Sequence, residues 1–405
     1  MTSSSGPGRF GTVGRVNDPA GLISNGRRVS LAAAAGLAAA MGVGRFVFTP
    51  ILPIMIDSAN VSPSAGAVIA TANYAGYLLG AVLLSIRPGL NTTNAFRLWA
   101  VVLVASELAM AAVDNTVLFS VLRFLAGLAS AAVFLACAST VAQHSRSSPG
   151  ITFGGVGAGI AASGVLTLVA APHLSWQGIW VCSAVLTAVT IAPALTLRVR
   201  AESRSTDGQG MLSAPDRTVW RVLLVVYLLE GLGYIVVGTF LVAAVGGHGN
   251  SSVGPAVWIA VGLAAMPATV LWQAIARRIE TRRALVAAFA LQTVSALLPA
   301  LTSNSVVAVV SALLFGGTFM GITMLTLSTA ARLPIGRTAA TLTAVYGVGQ
   351  VLGPLVVAPA LGDSYTVAFV VAAVVLALGT IGAAVAARLQ AVTDDQRCAT
   401  PPLGA

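Results

Sequence analysis

The chain has 405 residues, of which 57% are hydrophobic and only 8% are charged. This composition leaves too little polar surface for a water-soluble globular protein and is typical of a protein whose solvent is the lipid bilayer. A net charge of +10 would suggest a nucleic-acid partner in a soluble protein, but here the positive charge is spread over short connections between apolar stretches, where it favours contact with anionic lipid headgroups. We therefore expect a membrane protein that binds no nucleic acid.

Twelve apolar stretches follow one another along the chain, each about the 20 residues that a helix needs to cross the hydrocarbon core of a bilayer. They predict an all-α integral membrane protein with two pseudo-symmetric bundles of six helices. Spans 1 to 12 are predicted at about 29–56, 65–86, 96–114, 116–142, 151–171, 178–197, 218–245, 253–275, 284–303, 305–331, 338–360 and 365–388. The predicted domains are a disordered tail at 1–28, an N-terminal bundle at 29–197, a central loop at 198–217, a C-terminal bundle at 218–388 and a tail at 389–405.

The positive charge predicts the orientation of these spans. The chain has no lysine, and all but two of its 22 arginines fall in the tails, in the even-numbered connections or at the span ends next to them. By the positive-inside rule, both termini and the central loop are cytoplasmic. The bias towards Ala, Gly, Val and Arg fits a GC-rich bacterial genome, so the expected location is a bacterial plasma membrane. The two remaining arginines, Arg45 and Arg123, must lie inside spans.

The two halves share a short motif, which indicates an internal repeat. Span 1 carries Gly-Val-Gly-Arg at 42–45, and span 7 carries Gly-Leu-Gly-Tyr at 231–234. Parallel six-helix repeats are one plan for secondary transporters, with the substrate site near the midplane between the halves. The alternative is that paired glycines are simply common in membrane helices.

Arg45, about halfway along span 1, is the first candidate for substrate binding. A charged side chain at the bilayer centre is costly, so Arg45 needs a carboxylate, carbonyls, water or an anionic substrate. Its guanidinium stays protonated in proteins, and its fork suits a carboxylate or a phosphate. The alternative is a permanent ion pair that fixes helix packing.

Glu230 in span 7 is the candidate partner of Arg45 and the first candidate for proton coupling. The aligned repeats place it one helical turn from the level of Arg45, about 5.4 Å. Glu230 and Tyr234 are four residues apart and share a face, so both could reach one cavity. Burial favours a protonated carboxyl and a nearby arginine favours the ionised form, so a proton and an anionic substrate could compete there. A structural gate between the halves is the alternative.

Two further sets of polar residues lie inside spans. Glu107 in span 3 and Arg123 in span 4 have similar predicted depths and could pair, which makes them alternative coupling residues, while mutual neutralisation is the competing interpretation. Asn73 and Tyr77 in span 2, like Tyr346 and Gln350 in span 11, are four residues apart and could hydrogen-bond a substrate. Such groups also join membrane helices to one another.

No cofactor, metal or enzymatic site is expected. His144, His173 and His248 fall in predicted connections, and neither a zinc-protease nor a serine-hydrolase motif is present. No ATPase motif is present either, so uphill transport must draw on an ion gradient. A membrane enzyme is the main rival from another class, but its motifs are absent. A membrane sensor that binds a ligand without transporting it is a further alternative.

The chain resembles the major facilitator superfamily (MFS) in its twelve spans and six-plus-six division. Arg-Phe-Leu-Ala-Gly at 123–127 resembles the superfamily's RxxxG motif, whose arginine is implicated in coupling, and 276–283 resembles the second copy of its cytoplasmic loop motif. That loop has Arg277 where an acidic residue is expected, and the loop after span 2 keeps only part of the motif.

More narrowly, residues 42–53 and 72–77 are similar to the YbfB/YjiJ-like branch. The resemblance implies a secondary active transporter that works by alternating access, and we expect a monomer. Two cargoes are open: a small organic anion bound by Arg45 and coupled to protons, which we favour, or a hydrophobic compound expelled as in multidrug efflux.

Overall fold

The structure is a computed structural model and describes residues 19–144, 147–200, 214–246, 252–302, 304–333, 338–362 and 364–399. Most of the predicted N-terminal tail, most of the central loop and the last residues of the C-terminal tail lie outside these ranges. The predicted disorder of the N-terminal tail and the predicted position of His248 therefore stay predictions.

Helices account for all the regular secondary structure of the described residues, and strands are absent from them. Thirteen are α-helices: α1 (Pro19–Leu37), α2 (Phe48–Ser58), α3 (Pro63–Ile86), α4 (Thr93–Met110), α5 (Thr116–Ala142), α6 (Pro149–Ala170), α7 (Trp176–Ile191), α8 (Ala214–Gly246), α9 (Val253–Ile279), α10 (Thr281–Leu301), α11 (Ser305–Ala330), α12 (Thr338–Val357) and α13 (Thr366–Ala399). A π-helical segment, Ala38–Arg45, joins α1 to α2, and short 3-10 helices occupy Pro88–Leu90, Ala192–Thr196 and Ala358–Ala360.

Twelve helical stretches in the described part of the chain are long and apolar enough to cross a membrane. The first consists of α1, the π-helical segment and α2, and α3 to α13 supply the second to the twelfth. The predicted all-α fold with twelve spans is therefore confirmed.

Short polar residues begin many of these helices. In each case a side-chain oxygen at the N-cap accepts a hydrogen bond from a backbone N–H of the first turn, which would otherwise lack a partner. The residues that do this are Ser62, Thr92, Asn115, Ser148, Ser175 and Asn304. The apolar runs therefore carry local signals for where a helix begins.

The first span is broken near its middle. Pro50 has no N–H to donate to the Phe46 carbonyl, and that carbonyl instead accepts the Thr49 N–H at 3.1 Å. The break leaves the Arg45 carbonyl without the Thr49 donor that a continuous α-helix would supply. The π-helical segment just before the break is buried along its whole length.

Glycines let neighbouring spans approach closely. In the N-terminal half Gly42 faces the backbone of α6 at Gly159, and in the C-terminal half Gly231 faces the backbone of α12 at Tyr346. The first and fifth spans thus meet through glycine as the seventh and eleventh do, which supports the predicted repeat. Gly127 of α5 similarly lies against the backbone of α3 at Asn73, where an added Cβ would overlap the carbonyl group.

Three hydrogen-bonding contacts join the two halves at one end of the molecule. The Thr49 hydroxyl donates to the Gly238 carbonyl at 2.8 Å, and the Ser64 hydroxyl donates to the Ala358 carbonyl at 2.9 Å. The Tyr74 and Thr239 hydroxyls lie 2.9 Å apart. All three contacts lie towards the odd-numbered connections, so the halves are closed on the side opposite the arginine-rich loops.

Gly127→Ala should destabilise the protein, because its methyl group must push α5 away from α3. The expected loss is about 1–3 kcal/mol of unfolding free energy, as for other overpacked sites, seen as a lower melting temperature in detergent. Gly317→Ala is the matched control, since a Cβ there meets no atom within 4 Å, and its melting temperature should not fall. Equal melting temperatures for the two variants would contradict the close contact between α3 and α5.

Candidate functional site

A cavity of about 340 Å³ lies between the two halves, near the lower limit of the roughly 300–1,000 Å³ typical of small-molecule sites. Its inner end is formed by Arg45, Tyr77, Tyr234 and Gln350, all of which are buried. The first and second spans supply two of these side chains, and the seventh and eleventh spans supply the others. The site is therefore complete only where the two halves meet.

The outer end of the cavity reaches the arginine-rich side of the molecule. Pro149 begins α6, while Gln273 and Ser328 lie near the ends of α9 and α11. All three are exposed, and they adjoin the connections that follow the fourth, eighth and tenth spans. The cavity is thus open towards the even-numbered connections and closed towards the odd-numbered ones.

Arg45 is the charged residue at the closed end of this cavity. Its side chain is 2% exposed, and its guanidinium carbon lies 4.2 Å from the ring centroid of Tyr77, 5.2 Å from that of Tyr74 and 5.3 Å from that of Phe46. These distances allow cation–π attraction. Nη2 donates a hydrogen bond to Oε1 of Gln350, whereas Nε has no hydrogen-bond partner in the described part of the chain.

Gln350 connects Arg45 to the other half. Its Oε1 accepts from Arg45, and its Nε2 donates to the Tyr234 hydroxyl at 2.8 Å. Both contacts of this amide are with groups on the inner wall of the cavity. A chain of hydrogen bonds therefore crosses between the halves at the closed end.

Aromatic rings form two walls of the cavity, one from each half. In the C-terminal half the rings of Tyr227, Tyr346 and Tyr234 stack with centroid distances of 4.5 and 5.2 Å, and Phe319 continues the stack 5.9 Å from Tyr234. In the N-terminal half the ring of Phe134 lies 6.3 Å from that of Tyr77 and 6.2 Å from that of Phe153. All of these rings line the cavity.

The pairing of Arg45 with Glu230 that the sequence suggested is not formed. Glu230 is fully buried, does not line the cavity, and its Oε1 accepts from Nε2 of Gln292 at 2.7 Å. Residues four apart on a helix differ by about 40° in direction, and this turn carries Glu230 towards α10 while Tyr234 faces the cavity. Oε2 of Glu230 has no hydrogen-bond partner among the described residues.

Glu107 and Arg123 also form no ion pair with each other. Arg123 instead donates from Nη1 to the Gly44 carbonyl at 2.8 Å and from Nη2 to the Arg45 carbonyl at 2.6 Å. Glu107 accepts from the Thr187 hydroxyl at 2.7 Å, and its other oxygen lies beside Gly44. The suggested pairing fails because the break in the first span offers Arg123 two carbonyl acceptors. Arg123 thereby holds the backbone that carries Arg45.

Asn73 does not share the cavity with Tyr77. It is fully buried, and its Nδ2 donates to the Arg123 carbonyl at 2.9 Å, so it lies between α3 and α5 behind the cavity wall. The sequence interpretation also omitted Tyr227 and Phe319. Tyr227 precedes Tyr234 by seven residues and so shares its helical face, a signal that was available, whereas no local pattern distinguishes Phe319 from other buried aromatic residues.

Among the residues that the structure describes, no group of three His, Cys, Asp or Glu side chains could hold a metal ion. Twelve spans around a central cavity whose inner end carries one buried cation define a membrane transporter for small molecules.

The chain belongs to the family described as "Uncharacterised MFS-type transporter YbfB", whose model matches residues 37–385. The predicted superfamily and branch are thus confirmed, as is the expectation of a transporter and not an enzyme. The search of curated proteins found no match.

Solved structures with the same fold include the nucleoside transporter NupG. A single-residue mutant of NupG has a TM-score of 0.67 at 11% identity, with 90% of this chain and 99% of that chain covered. NupG itself has a TM-score of 0.66 at 13% identity, with 89% and 98% covered. At this identity the likeness shows the fold alone.

Arg123→Lys should loosen the break in the first span, because a single ammonium lacks the fork that reaches both carbonyls. We expect a loss of about 1.5–3 kcal/mol, the usual range for hydrogen bonds to charged groups, measured as a lower melting temperature. Arg97→Lys is the control, because Arg97 is exposed and makes one long contact, 3.4 Å, to a carbonyl. An Arg123→Lys protein as stable as the control would contradict the bracing role.

Proposed function

We propose that this protein is a secondary active transporter that moves a small organic anion across a bacterial plasma membrane by alternating access. Arg45 binds the anionic group. The observation that carries the proposal is the buried guanidinium of Arg45 at the closed end of the cavity, whose side-chain acceptor is the neutral amide of Gln350. No carboxylate pairs with Arg45 in the described residues. An anion would supply the missing negative charge.

The aromatic walls favour a second candidate, the efflux of hydrophobic compounds. Apolar and aromatic side chains make up most of the cavity lining, and such surfaces also accept uncharged or cationic molecules. The two functions differ at Arg45, because a hydrophobic cargo gains nothing from a buried cation, whereas an anion depends on it.

The orientation follows from the charge of the loops. If the arginine-rich connections are cytoplasmic, the cavity faces the cytoplasm and the contacts made by Thr49, Ser64 and Tyr74 close the outer side. Alternating access then requires these three contacts to separate while the arginine-rich ends approach each other. Since one chain supplies both walls of the cavity, we expect a monomer to be sufficient.

Proton coupling is the remaining part of the proposal. Glu230 and Glu107 are both fully buried, each accepts a hydrogen bond from an uncharged donor, and each has a second oxygen without a hydrogen-bond partner in the described chain. A buried carboxyl outside any ion pair is a candidate proton carrier. Glu230 lies behind the ring stack of the C-terminal half, and Glu107 lies behind the backbone that Arg123 braces, so the two represent distinct routes.

Arg45→Ala should weaken the binding of small carboxylic acids at least tenfold, equivalent to about 1.4 kcal/mol. The measurement is the rise in melting temperature of the purified protein with acetate, benzoate or succinate, followed by titration of the best acid. Arg388→Ala, which removes an exposed arginine, should bind like the wild type. If hydrophobic cations stabilise the wild type and Arg45→Ala equally and no acid stabilises either, efflux of hydrophobic compounds is the better function.

Glu230→Gln should abolish accumulation of the acid driven by a pH gradient in proteoliposomes, because an amide cannot carry the proton. Exchange of labelled for unlabelled acid without a gradient should continue, which separates lost coupling from a misfolded protein. Glu107→Gln is measured in parallel, and loss of accumulation in that variant alone would assign coupling to Glu107. Gradient-driven accumulation in both variants would exclude both carboxyls as the proton site.

A further inference from the structure

The geometry points to an aromatic monocarboxylate as the substrate, one whose carboxylate displaces Gln350 from Arg45 and whose ring packs between the two aromatic walls. This inference rests on the proposed function and deepens it, because an organic anion could equally be aliphatic, or carry two charges or a phosphate. Three observations select among these classes: the charge of the cavity, the edge of the Arg45 guanidinium formed by Nε and Nη2, and the arrangement of the rings. We call this edge the free edge, because its Nε has no hydrogen-bond partner among the described residues.

The charge of the cavity selects a single negative charge. Arg45 is the one charged side chain among the described residues that line the cavity. One carboxylate neutralises it, whereas the second charge of a dicarboxylate or a phosphate monoester would be buried without a partner, at a large cost in desolvation. A neutral ligand would leave the positive charge of Arg45 without a counter-charge.

The free edge of the guanidinium selects a carboxylate. Nε and Nη2 project their N–H groups side by side along one edge of the fork, the edge that carboxylates bind with both oxygens. The single amide oxygen of Gln350 accepts from Nη2, while Nε of this buried side chain is without a hydrogen-bond partner in the described residues. A carboxylate in place of the amide oxygen would accept from both groups and add a charge-assisted bond. Gln350 therefore acts as a neutral stand-in for the substrate.

The rings select a flat aromatic body. The planes of Tyr346, Tyr234 and Phe319 are inclined by only 13° and 10° to their neighbours in the stack, so the C-terminal half presents a row of nearly parallel rings. Tyr77 and Phe134 lie in the opposite wall. Rings stacked on one another cover each other's faces, so this row offers mainly ring edges to a ligand. A planar ring between the walls can make edge-to-face contacts with these edges, which a saturated ring of equal size cannot reproduce.

The position of Gln350 also connects binding to movement. Arg45 and Gln350 belong to different halves, so replacing the amide with a carboxylate exchanges a hydrogen bond between the halves for bonds to the substrate. A ligand bound in the cavity thus breaks the hydrogen bond between Arg45 and Gln350, which joins the two halves at the closed end.

The test is a binding titration of the detergent-purified full-length protein with matched probes. Benzoate is compared with cyclohexanecarboxylate, which has the same charge but no aromatic ring, with terephthalate, which has two charges, and with benzamide, which has none. Benzoate should bind at least tenfold more tightly than each of the other three. Equal binding of cyclohexanecarboxylate or terephthalate would overturn this inference and leave anion transport intact, whereas binding of benzamide alone, or of none of the acids, would overturn the proposed function as well.

Two substitutions of Gln350 test its role as a stand-in. Gln350→Glu places a carboxylate on the free edge of Arg45 within the protein, so benzoate affinity should fall at least tenfold while the melting temperature of the unliganded protein does not fall. Gln350→Leu removes the competing oxygen, and benzoate should then bind more tightly than to the wild type. Equal losses of affinity in both variants would show that Gln350 is itself a substrate contact and would overturn the displacement.

Phe319→Leu tests the ring wall without altering the charge. The ratio of benzoate affinity to cyclohexanecarboxylate affinity should fall several-fold in this variant, because the stacked wall loses one ring while Arg45 still binds either carboxylate. An unchanged ratio, with an unchanged melting temperature, would show that the aromatic wall does not select the ligand.

Discussion

A buried guanidinium lies in the interior of the membrane domain, and much of the central architecture follows from it. The hydrocarbon core of the bilayer cannot solvate the charge of Arg45. Groups of the protein must therefore stabilise this charge. The ring of Tyr77 lies against its face, Gln350 accepts one N–H, and the broken backbone at the end of the π-helical segment sets its direction. Arg45 lies at the inner end of the cavity with one neutral side-chain acceptor.

The two buried arginines differ in how far the protein satisfies them. Arg123 gives two donors to the carbonyls of Gly44 and Arg45, close to ideal lengths, and has no place in the cavity. Its role is structural, because its two hydrogen bonds hold the backbone next to the helix break caused by Pro50. Arg45 has only one side-chain acceptor, the neutral amide of Gln350, whereas Nε is without a hydrogen-bond partner among the described residues in both arginines. The same residue type thus serves packing in one position and, as we propose, recognition in the other.

The division of the site between the halves gives binding a mechanical consequence. One half contributes the cation and a wall of rings, and the other contributes Gln350 and the stacked rings of Tyr227, Tyr346 and Tyr234. Neither half can enclose a substrate alone. A ligand that bridges them therefore changes the balance of contacts across the interface, which is what alternating access requires of a substrate in this fold.

Hydrophobic length was sufficient to predict twelve spans, because it is a property of one segment in its solvent. The distribution of arginines singled out Arg45 and Arg123 as buried, and the superfamily was identified from the resemblance of short motifs. The pairing of buried polar groups was not predictable, since a rotation of about 40° between residues four apart decides whether Glu230 meets Arg45 or Gln292 and whether Asn73 faces the cavity or Arg123. Pro50 is visible in the sequence as a helix breaker, but no sequence pattern predicts that Arg123 donates to the carbonyls of Gly44 and Arg45 beside the break. The ring stack likewise exists only where α8, α11 and α12 meet. Local sequence therefore determined which groups had to be buried, and the rotation and packing of the helices decided which partners those groups found.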